Sequence, residues 1–227
     1  MTVAIVTASY GGYDKPKSLP LQSVIRDGVP CYFWTDDDAT ARRAADLGWH
    51  AVLDEYPNGD KELSSMLRAK YIKTHMHLAA RNAEILIWLD GSMTITVPDF
   101  VDRVIGALGN DDVALTPHPL RRCIRPEALV TAALSRYSDC DPIKQVNYYD
   151  NIGHPRDWGL FASGAFAIYN NALTREWGEH WWHECVTRTY QDQLSLPVIT
   201  RIMEQRGMRW NQNLPWSQWW GITNHGC

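Results

Sequence analysis

Short apolar runs alternate with longer amphipathic stretches through the first half of the chain. Four runs are rich in residues that favour strands: residues 3–7, 31–35, 49–53 and 85–90. Residues 39–47 have a helix-like composition, and residues 61–81 carry apolar side chains at helical spacing. We therefore predict an α/β protein, in which strands and helices alternate around a mostly parallel sheet.

The second half contains the same two kinds of segment in a less regular order. Residues 112–116 and 166–169 are strand-like, and helical patterns cover residues 127–137, 172–187 and 191–206. Between them, residues 139–158 are polar and aromatic with several turn residues, which predicts a surface loop or insertion. Because the chain contains no repeat and no clear linker, we expect residues 1–227 to form one domain.

Composition and charge exclude several classes of protein. A chain of 227 residues with 45% hydrophobic residues can bury a full core. Its net charge of −4 does not provide the excess of positive charge that nonspecific binding to a nucleic-acid duplex requires. The sequence contains no apolar run of membrane-spanning length and begins without a basic leader. Its five cysteines have no paired spacing, so we expect neither a disulfide framework nor a zinc site. We expect a cytoplasmic protein with no membrane partner.

The strongest candidate for chemistry is Asp90, which follows the apolar run 85–89 directly and is followed by Gly91. Open α/β sheets bind ligands outside the carboxyl ends of their strands, so a carboxylate that emerges there can hold a metal ion or face a phosphate. The alternative is an ordinary strand that ends in an Asp-Gly turn.

Three further motifs accompany this strand in a defined order. Arg68-Ala69-Lys70 precedes it, Ser163-Gly164 stands before a later strand, and Asp192-Gln193 begins a predicted helix. This order resembles that of nucleotide-sugar glycosyltransferases of the GT-A fold, particularly retaining enzymes of the glycogenin and bacterial galactosyltransferase families. It also resembles a family of glycosyltransferase-like domains formerly of unknown function. The resemblance implies a mixed, mostly parallel central sheet flanked by helices.

The resemblance also implies a set of donor-binding residues: Thr7, Ala8, Ser9, Tyr10, Tyr13, Asp36, Arg68, Lys70, Asp90 and Gly164. In such enzymes the loop after the first strand holds the base and ribose, and a tyrosine ring can stack on the base. Each assignment has a structural alternative. The tyrosines could be ordinary packing residues, Asp36 or its neighbour Asp37 could cap a helix, and the charges of the 68–70 motif could be solvated.

Asp90-Gly91-Ser92 occupies the place of the Asp-x-Asp motif, which in the resembling families holds a divalent cation against the donor diphosphate. The implied metal ligands are Asp90, Ser92 and His225, and the implied cation is Mn²⁺ or Mg²⁺. Ser92 departs from the motif because a neutral hydroxyl is a weaker ligand than a carboxylate. His225 lies in the last residues of the chain, where a histidine is often frayed.

The implied catalytic residues are Asp192 and Gln193, whose polar side chains face the anomeric carbon in the resembling retaining enzymes. They would stabilise positive charge on the sugar during transfer. Gly164 would belong to a small-residue turn beneath the donor sugar, followed by a strand. The alternative for Asp192 is an acidic residue that is stabilised by the dipole at a helix start.

We therefore expect a glycosyltransferase that moves a sugar from a nucleoside diphosphate sugar, with UDP-sugars favoured, to a hydroxyl acceptor with retention. Residues 1–98 would form the nucleotide-sugar-binding half, and residues 99–227 the acceptor and catalytic half. The acceptor could be a protein, a glycan or a modified nucleobase. A noncatalytic binding protein with a degenerate metal site is the main alternative. A sugar nucleotidyltransferase fits less well, because no basic cluster follows Gly11-Gly12.

Overall fold

The computed structural model describes residues 1–17, 28–215 and 217–222. The strands among them are β1 (Val3–Ala8), β2 (Cys31–Thr35), β3 (His50–Leu53), β4 (Ile85–Leu89), β5 (Met93–Ile95), β6 (Val113–Pro117), β7 (Phe161–Tyr169), β8 (Trp210–Asn211) and β9 (Trp220–Ile222). The α-helices are α1 (Asp38–Asp46), α2 (Ser65–Thr74), α3 (Met76–Ala79), α4 (Phe100–Leu108), α5 (Ile124–Ala132), α6 (Pro142–Asn151), α7 (Ala172–Thr187) and α8 (Asp192–Glu204), and a short 3₁₀ helix covers Ser135–Tyr137.

Seven strands form a central sheet in the order β3-β2-β1-β4-β7-β6-β8. Neighbouring strands are parallel except at β7, which runs antiparallel to both β4 and β6. A second, two-stranded sheet pairs β5 with β9. The prediction of a mixed, mostly parallel sheet flanked by helices is therefore confirmed.

The sheet is covered on both faces, which explains why its central strands read as continuous apolar runs. Every residue of β4 is at most 3% exposed. On one face, Trp177 and Trp181 of α7 pack against Phe166 of β7, with ring centroids 5.6 and 5.5 Å apart. On the other face, Phe100 of α4 packs edge-on against Trp220. Among the described residues, the structure contains no helix long and apolar enough to cross a membrane.

The helix predicted over residues 61–81 is shorter than expected and is broken at His75. It begins only after Ser64, whose hydroxyl accepts a hydrogen bond from the Leu67 amide and caps the helix. His75 has φ −115° and ψ 37°, outside the helical region, and separates α2 from α3. The predicted helix 127–137, in contrast, begins earlier than expected, at Ile124, and the 3₁₀ helix replaces its last turn.

In the second half, one prediction is wrong and one strand is longer than predicted. The expected surface loop 139–158 contains α6, which begins with Asp141 accepting from the Lys144 amide and with Pro142 at the first helical position. The strand expected at residues 166–169 begins at Phe161 instead. Gly164 therefore lies inside a strand, and Ser163-Gly164 is not a turn.

The order and direction of the strands bring several chain segments to one edge of the sheet. The parallel strands β1, β2 and β4 end there, and the amide of Ser9 donates to the carbonyl of Trp34 beyond the end of β1. Because β7 is antiparallel to β4, its early residues lie at the same edge, and the Asp90 amide donates to the Gly164 carbonyl at 2.8 Å. Motifs more than 70 residues apart in the sequence meet here.

Candidate functional site

A cleft opens at this edge of the sheet. Its walls come from the loop after β1, one face of α2, the residues after β4, the 3₁₀ helix, the early part of β7 and the start of α8. Five residues form what we call the charged floor: Lys70, Lys73, Asp90, Ser163 and Asp192.

The charged floor is held together by Lys73. Its Nζ lies 2.7 Å from Asp192 Oδ2 and 3.2 Å from Asp90 Oδ1, so one ammonium group joins two carboxylates. Lys70 Nζ donates to the same Asp192 oxygen at 2.8 Å, and Ser163 Oγ donates to Asp192 Oδ1 at 2.9 Å. Lys70 and Lys73 are three residues apart on α2, which puts both on the side of the helix that faces α8.

Asp192 is the most deeply buried carboxylate of the floor, with a side chain only 3% exposed. Burial alone would raise the pKa of Asp192, but Lys70 and Lys73 outweigh burial and hold the pKa well below its usual value. Burial would likewise lower the pKa of Lys70, but Asp192 and Asp90 together raise it. Both groups therefore stay charged, and the cleft presents a fixed arrangement of ions.

Asp90 lies at the surface of the same network, with 37% of its side chain exposed. Its Oδ1 accepts from Lys73 and, at 2.7 Å, from the indole nitrogen of Trp88. Its Oδ2 has no donor among the described residues. A Cβ at Gly164 would lie 3.1 Å from this Oδ2 and would overlap the methyl group of Met93. Glycine at position 164 therefore leaves room for the Asp90 carboxylate.

The outer part of the cleft, which we call the rim, consists of Gly11, Tyr13, Asp36, Arg68 and Arg136. The Gly11 amide donates to Asp36 Oδ1 at 2.9 Å, and an Arg68 amino group lies 3.7 Å from Asp36 Oδ2. On the opposite side, Arg136 donates to the Tyr13 hydroxyl at 2.9 Å. This last bond joins the loop after β1 to the 3₁₀ helix across the mouth of the cleft.

Comparison with known structures identifies the same architecture elsewhere. Glucosyl-3-phosphoglycerate synthase of Mycobacterium tuberculosis, in complex with Mn²⁺, UDP and phosphoglyceric acid, superposes with a TM-score of 0.54 at 16% identity, over 99% of this chain and 72% of that chain. The same enzyme with Mn²⁺, UDP-glucose and phosphoglyceric acid gives a TM-score of 0.53 at 15% identity, over 99% and 73% of the two chains.

A crystal structure described only as a mycobacterial protein matches with a TM-score of 0.51 at 17% identity, over 99% of this chain and 68% of that chain. The fold is GT-A-like. No model of a protein family matches the sequence, and no curated protein does. Identities this low establish the GT-A-like fold alone, because function depends on the residues of the site.

The GT-A-like cleft brings together most of the residues that the sequence singled out. Eight of them line it: Ala8, Ser9, Tyr10, Tyr13, Lys70, Asp90, Asp192 and Gln193. Gly164 lies directly behind this lining, next to Asp90. Asp36 and Arg68 lie at the rim, where they pair with each other and Asp36 accepts from the Gly11 amide. Thr7 and Ser92 are buried and do not contribute to the walls. His225 lies outside the described residues.

The structure also shows which of these side chains pack in the core, which one caps a helix and which are solvated. Tyr10 is only 2% exposed and packs in the hydrophobic core, whereas Tyr13 is 40% exposed at the mouth of the cleft. The helix cap is Asp37, whose carboxylate accepts from the Thr40 amide at 2.6 Å, and Asp36 turns instead toward Gly11. The charges of the 68–70 motif are not solvated, because each is less than one-fifth exposed and paired with a carboxylate.

Sequence reasoning missed several residues of the cleft, and Lys73 is the most important of them. The sequence did contain one signal for it: Lys73 follows Lys70 by three residues on a predicted helix, a spacing that places both on the same side. Arg136 and Tyr137 were placed in a helix without a functional role, and Asp14 was not noticed. The hydroxyl of Tyr137 donates to Gln191, the residue before Asp192, at 3.0 Å, which fixes the entrance to α8.

The GT-A-like fold implies a divalent cation, but the side chains around Asp90 do not form a suitable set of metal ligands. Among residues 1–17, 28–215 and 217–222, the side chains of histidine, cysteine, aspartate and glutamate form no group of three that could hold a metal ion. One Asp90 oxygen is already bonded to a cationic lysine and an indole N–H, neither of which tolerates a metal ion at the same place. Within the described chain, the residues present therefore fit a lysine-neutralised carboxylate better than a metal centre.

Proposed function

We propose that this protein is a nucleotide-sugar glycosyltransferase, which moves a sugar from a nucleoside diphosphate sugar to a hydroxyl acceptor. The observation that carries the proposal is the charged floor at the carboxyl edge of the sheet. Two carboxylates and two lysines lie there in fixed positions, near the loop after β1 and its exposed tyrosine ring, Tyr13. Such an arrangement suits a ligand that has an anionic centre between a base and a polyhydroxyl ring.

On the donor side, residues 8–10, at the end of β1 and in the loop after it, would bind the nucleoside together with Tyr13, whose ring would stack on the base. Lys70 and Arg136 line the cleft and would donate to the diphosphate oxygens. The free Oδ2 of Asp90, next to Gly164, would accept a hydrogen bond from a sugar hydroxyl. UDP-sugars remain the favoured donors, a preference that the complexes of the M. tuberculosis synthase with UDP and UDP-glucose support.

In the transfer step, the bond between the anomeric carbon and the diphosphate oxygen breaks, and the nucleoside diphosphate leaves with the electron pair. The acceptor oxygen forms the new bond, and its proton passes to the departing diphosphate. With retention, the acceptor attacks from the face that the diphosphate leaves. The ionised Asp192 and the side-chain oxygen of Gln193 would stabilise the positive charge that develops on the sugar.

A noncatalytic nucleotide-sugar-binding protein is the second candidate, and one observation favours it. Both oxygens of Asp192 are already bonded, Oδ1 to Ser163 and Oδ2 to two lysines, and its side chain is only 3% exposed. A carboxylate so fully satisfied is well placed to organise lysines for binding, and less well placed to approach a reacting carbon. The two candidates differ in turnover and not in nucleotide binding.

We also propose that residues 1–98 form the nucleotide-sugar-binding half and residues 99–227 the acceptor and catalytic half, from which Arg136 reaches the diphosphate. The acceptor could be a protein, a glycan or a modified nucleobase. The predicted metal set of Asp90, Ser92 and His225 stays a prediction, and no step above depends on it.

Calorimetric titration with UDP, GDP, CDP and dTDP tests nucleotide binding, and release of free nucleotide from the matching sugar conjugates tests turnover, with water as the simplest acceptor. Binding together with turnover supports the transferase. Binding without turnover, across sugar acceptors as well as water, supports the second candidate. If no nucleotide or nucleotide sugar binds, both candidates fail.

Asp90→Asn should lower donor turnover roughly 100-fold, because an amide replaces the acceptor oxygens that face the sugar and Lys73. The fold should persist since the side chain is partly exposed, and the melting temperature should fall by less than about 4 °C. Asp46→Asn, at the exposed end of α1, is the matched control and should behave as wild type. Normal turnover in Asp90→Asn would remove Asp90 from the site.

A further inference from the structure

Lys73 is the least expected residue in the cleft. Its side chain is 1% exposed, yet it belongs to the cleft lining, and the indole rings of Trp88 and Trp181 lie 5.4 and 5.8 Å from its Nζ. A lysine ammonium group carries three N–H donors. Two of them are used by Asp90 and Asp192. The third has no acceptor among the described residues, and an oxygen atom of a ligand in the cleft could accept it.

The charges of Lys73 and Asp90 can be compared with those of an Asp-x-Asp metal site. Relative to that site, they have one negative and one positive charge fewer. In an Asp-x-Asp motif, two carboxylates balance a divalent cation. Here Ser92 stands at the second position and contributes no charge, and the ammonium group of Lys73 takes the place of the cation beside Asp90. Asp192, which also pairs with Lys73, is balanced by Lys70 as well. The change from aspartate to serine and the presence of Lys73 are therefore complementary.

The position of Lys73 also opposes a metal ion. Its ammonium group lies 3.2 Å from Asp90 Oδ1, where a cation bound to that oxygen would meet an existing positive charge. Asp192 holds the ammonium group from the other side at 2.7 Å and prevents it from moving away. Lysine at this point is a fixed, preorganised cation.

We propose that Lys73 is the resident cation of the diphosphate site, and that the donor binds through it without a divalent metal ion. The proposal rests on the proposed function, since it assumes a diphosphate ligand. Lys73 donates its third N–H to a diphosphate oxygen, while Asp90 and Asp192 hold the ammonium group in place. It neutralises charge on the departing nucleotide as a bound metal ion would.

The first test compares UDP binding to the wild-type protein in EDTA with binding in Mn²⁺ or Mg²⁺, by calorimetry. We expect dissociation constants that agree within about twofold. Binding that requires a metal ion, or that tightens more than about tenfold with it, would overturn the inference and leave the proposed function intact. If UDP and the other nucleotides bind under neither condition, the proposed function fails as well.

The second test uses Lys73→Met, which keeps an unbranched apolar stem between the two tryptophans but removes the charge. In EDTA we expect UDP affinity to fall at least about 30-fold. Adding Mn²⁺ should restore part of it, because Asp90 is then free to bind a metal ion. A purely structural role for Lys73 would not create metal dependence, and wild-type affinity of Lys73→Met in EDTA would refute the proposal.

Lys144→Met, on the exposed face of α6, is the matched control and should bind UDP as the wild type does. Lys73→Arg retains the charge and should bind UDP in EDTA more tightly than Lys73→Met. If circular dichroism shows that Lys73→Met is unfolded, the comparison of the wild-type protein with and without EDTA still decides the question.

Discussion

The charged floor and the rim of the cleft carry similar groups but belong to different parts of the protein. Lys73 and Asp192 of the floor are 1% and 3% exposed, and their bonds tie α2 to β4 and α8. Tyr13 of the rim is 40% exposed, and its bond to Arg136 joins a loop to a single turn of helix. The inner floor, formed by Lys73 and Asp192, is thus part of the core, whereas the Tyr13–Arg136 side of the rim lies at the surface.

This difference predicts how each region responds to change. Removing one partner of a buried ion pair typically costs about 3–5 kcal/mol, because a charge is left without compensation, whereas exposed pairs contribute about 0–1 kcal/mol. Substitutions of the buried floor residues Lys73 and Asp192 should therefore lower stability and ligand binding together. Substitutions of the exposed rim residues Tyr13 and Arg136 should alter binding alone. The free energy of unfolding, measured by urea denaturation, separates the two cases.

The largest effect on stability is expected for Gly178→Ala. Gly178 of α7 faces the backbone of α2, and a Cβ there would overlap the carbonyl oxygen of Thr74, next to Lys73. Because a backbone carbonyl cannot rotate aside, α2 would have to shift, and both floor lysines with it. We expect a loss of about 3 kcal/mol in unfolding free energy together with weaker nucleotide binding.

The control is Gly106→Ala within α4, where a Cβ meets no atom within 4 Å. Alanine favours a helix over glycine, so this variant should gain about 0.5–1 kcal/mol. Equal behaviour of the two variants would mean that α7 does not hold α2 in position.

A smaller effect is expected for Asp192→Asn. The amide keeps an oxygen for Ser163 but loses the charge that two lysines share, and Lys73 retains Asp90 as a partner. We expect a loss of about 2 kcal/mol in unfolding free energy and a loss of turnover of at least roughly 100-fold. Asp46→Asn again serves as the control. An unchanged unfolding free energy would mean that the floor ion pairs contribute nothing to the core.

The burial of Lys73 could not be predicted from the sequence. A lysine off the apolar stripe of a helix is expected to face solvent, and that expectation fails because α2 packs against β1 on one side and α7 on another. The pairing of Lys70 with Asp192 spans 122 residues, a separation at which periodicity carries no information. Which charges meet is set by the strand order.

The longer strands were predictable because of their apolar runs, as in β4, where both faces are covered. The short strands β5, β8 and β9, of two or three residues each, were not predicted. The 16-residue helix α7 also matches its prediction from residue 172 to residue 187. In contrast, α6 was missed although Asp141-Pro142 is a good helix start, because the polar and aromatic residues around it suggested a loop. Local capping signals were present there and were outweighed by composition.

The smallest effect on stability is expected at Tyr13 of the rim. Two substitutions there distinguish the contribution of its ring from that of its hydrogen bond. Tyr13→Phe keeps the ring but removes the hydroxyl that accepts from Arg136, and it should leave the unfolding free energy within about 0.5 kcal/mol of wild type and UDP affinity within about threefold. Tyr13→Ala also removes the ring and should weaken UDP binding roughly tenfold, since stacking on a base contributes about 1–3 kcal/mol.

Calorimetry on the two Tyr13 variants therefore tests whether the rim acts through its ring or through its bond across the mouth. If Tyr13→Phe weakens binding as much as Tyr13→Ala, closure of the cleft by Arg136 is the important contribution. If either variant unfolds more than about 1 kcal/mol more easily than wild type, the rim supports the fold and the contrast with the floor is wrong.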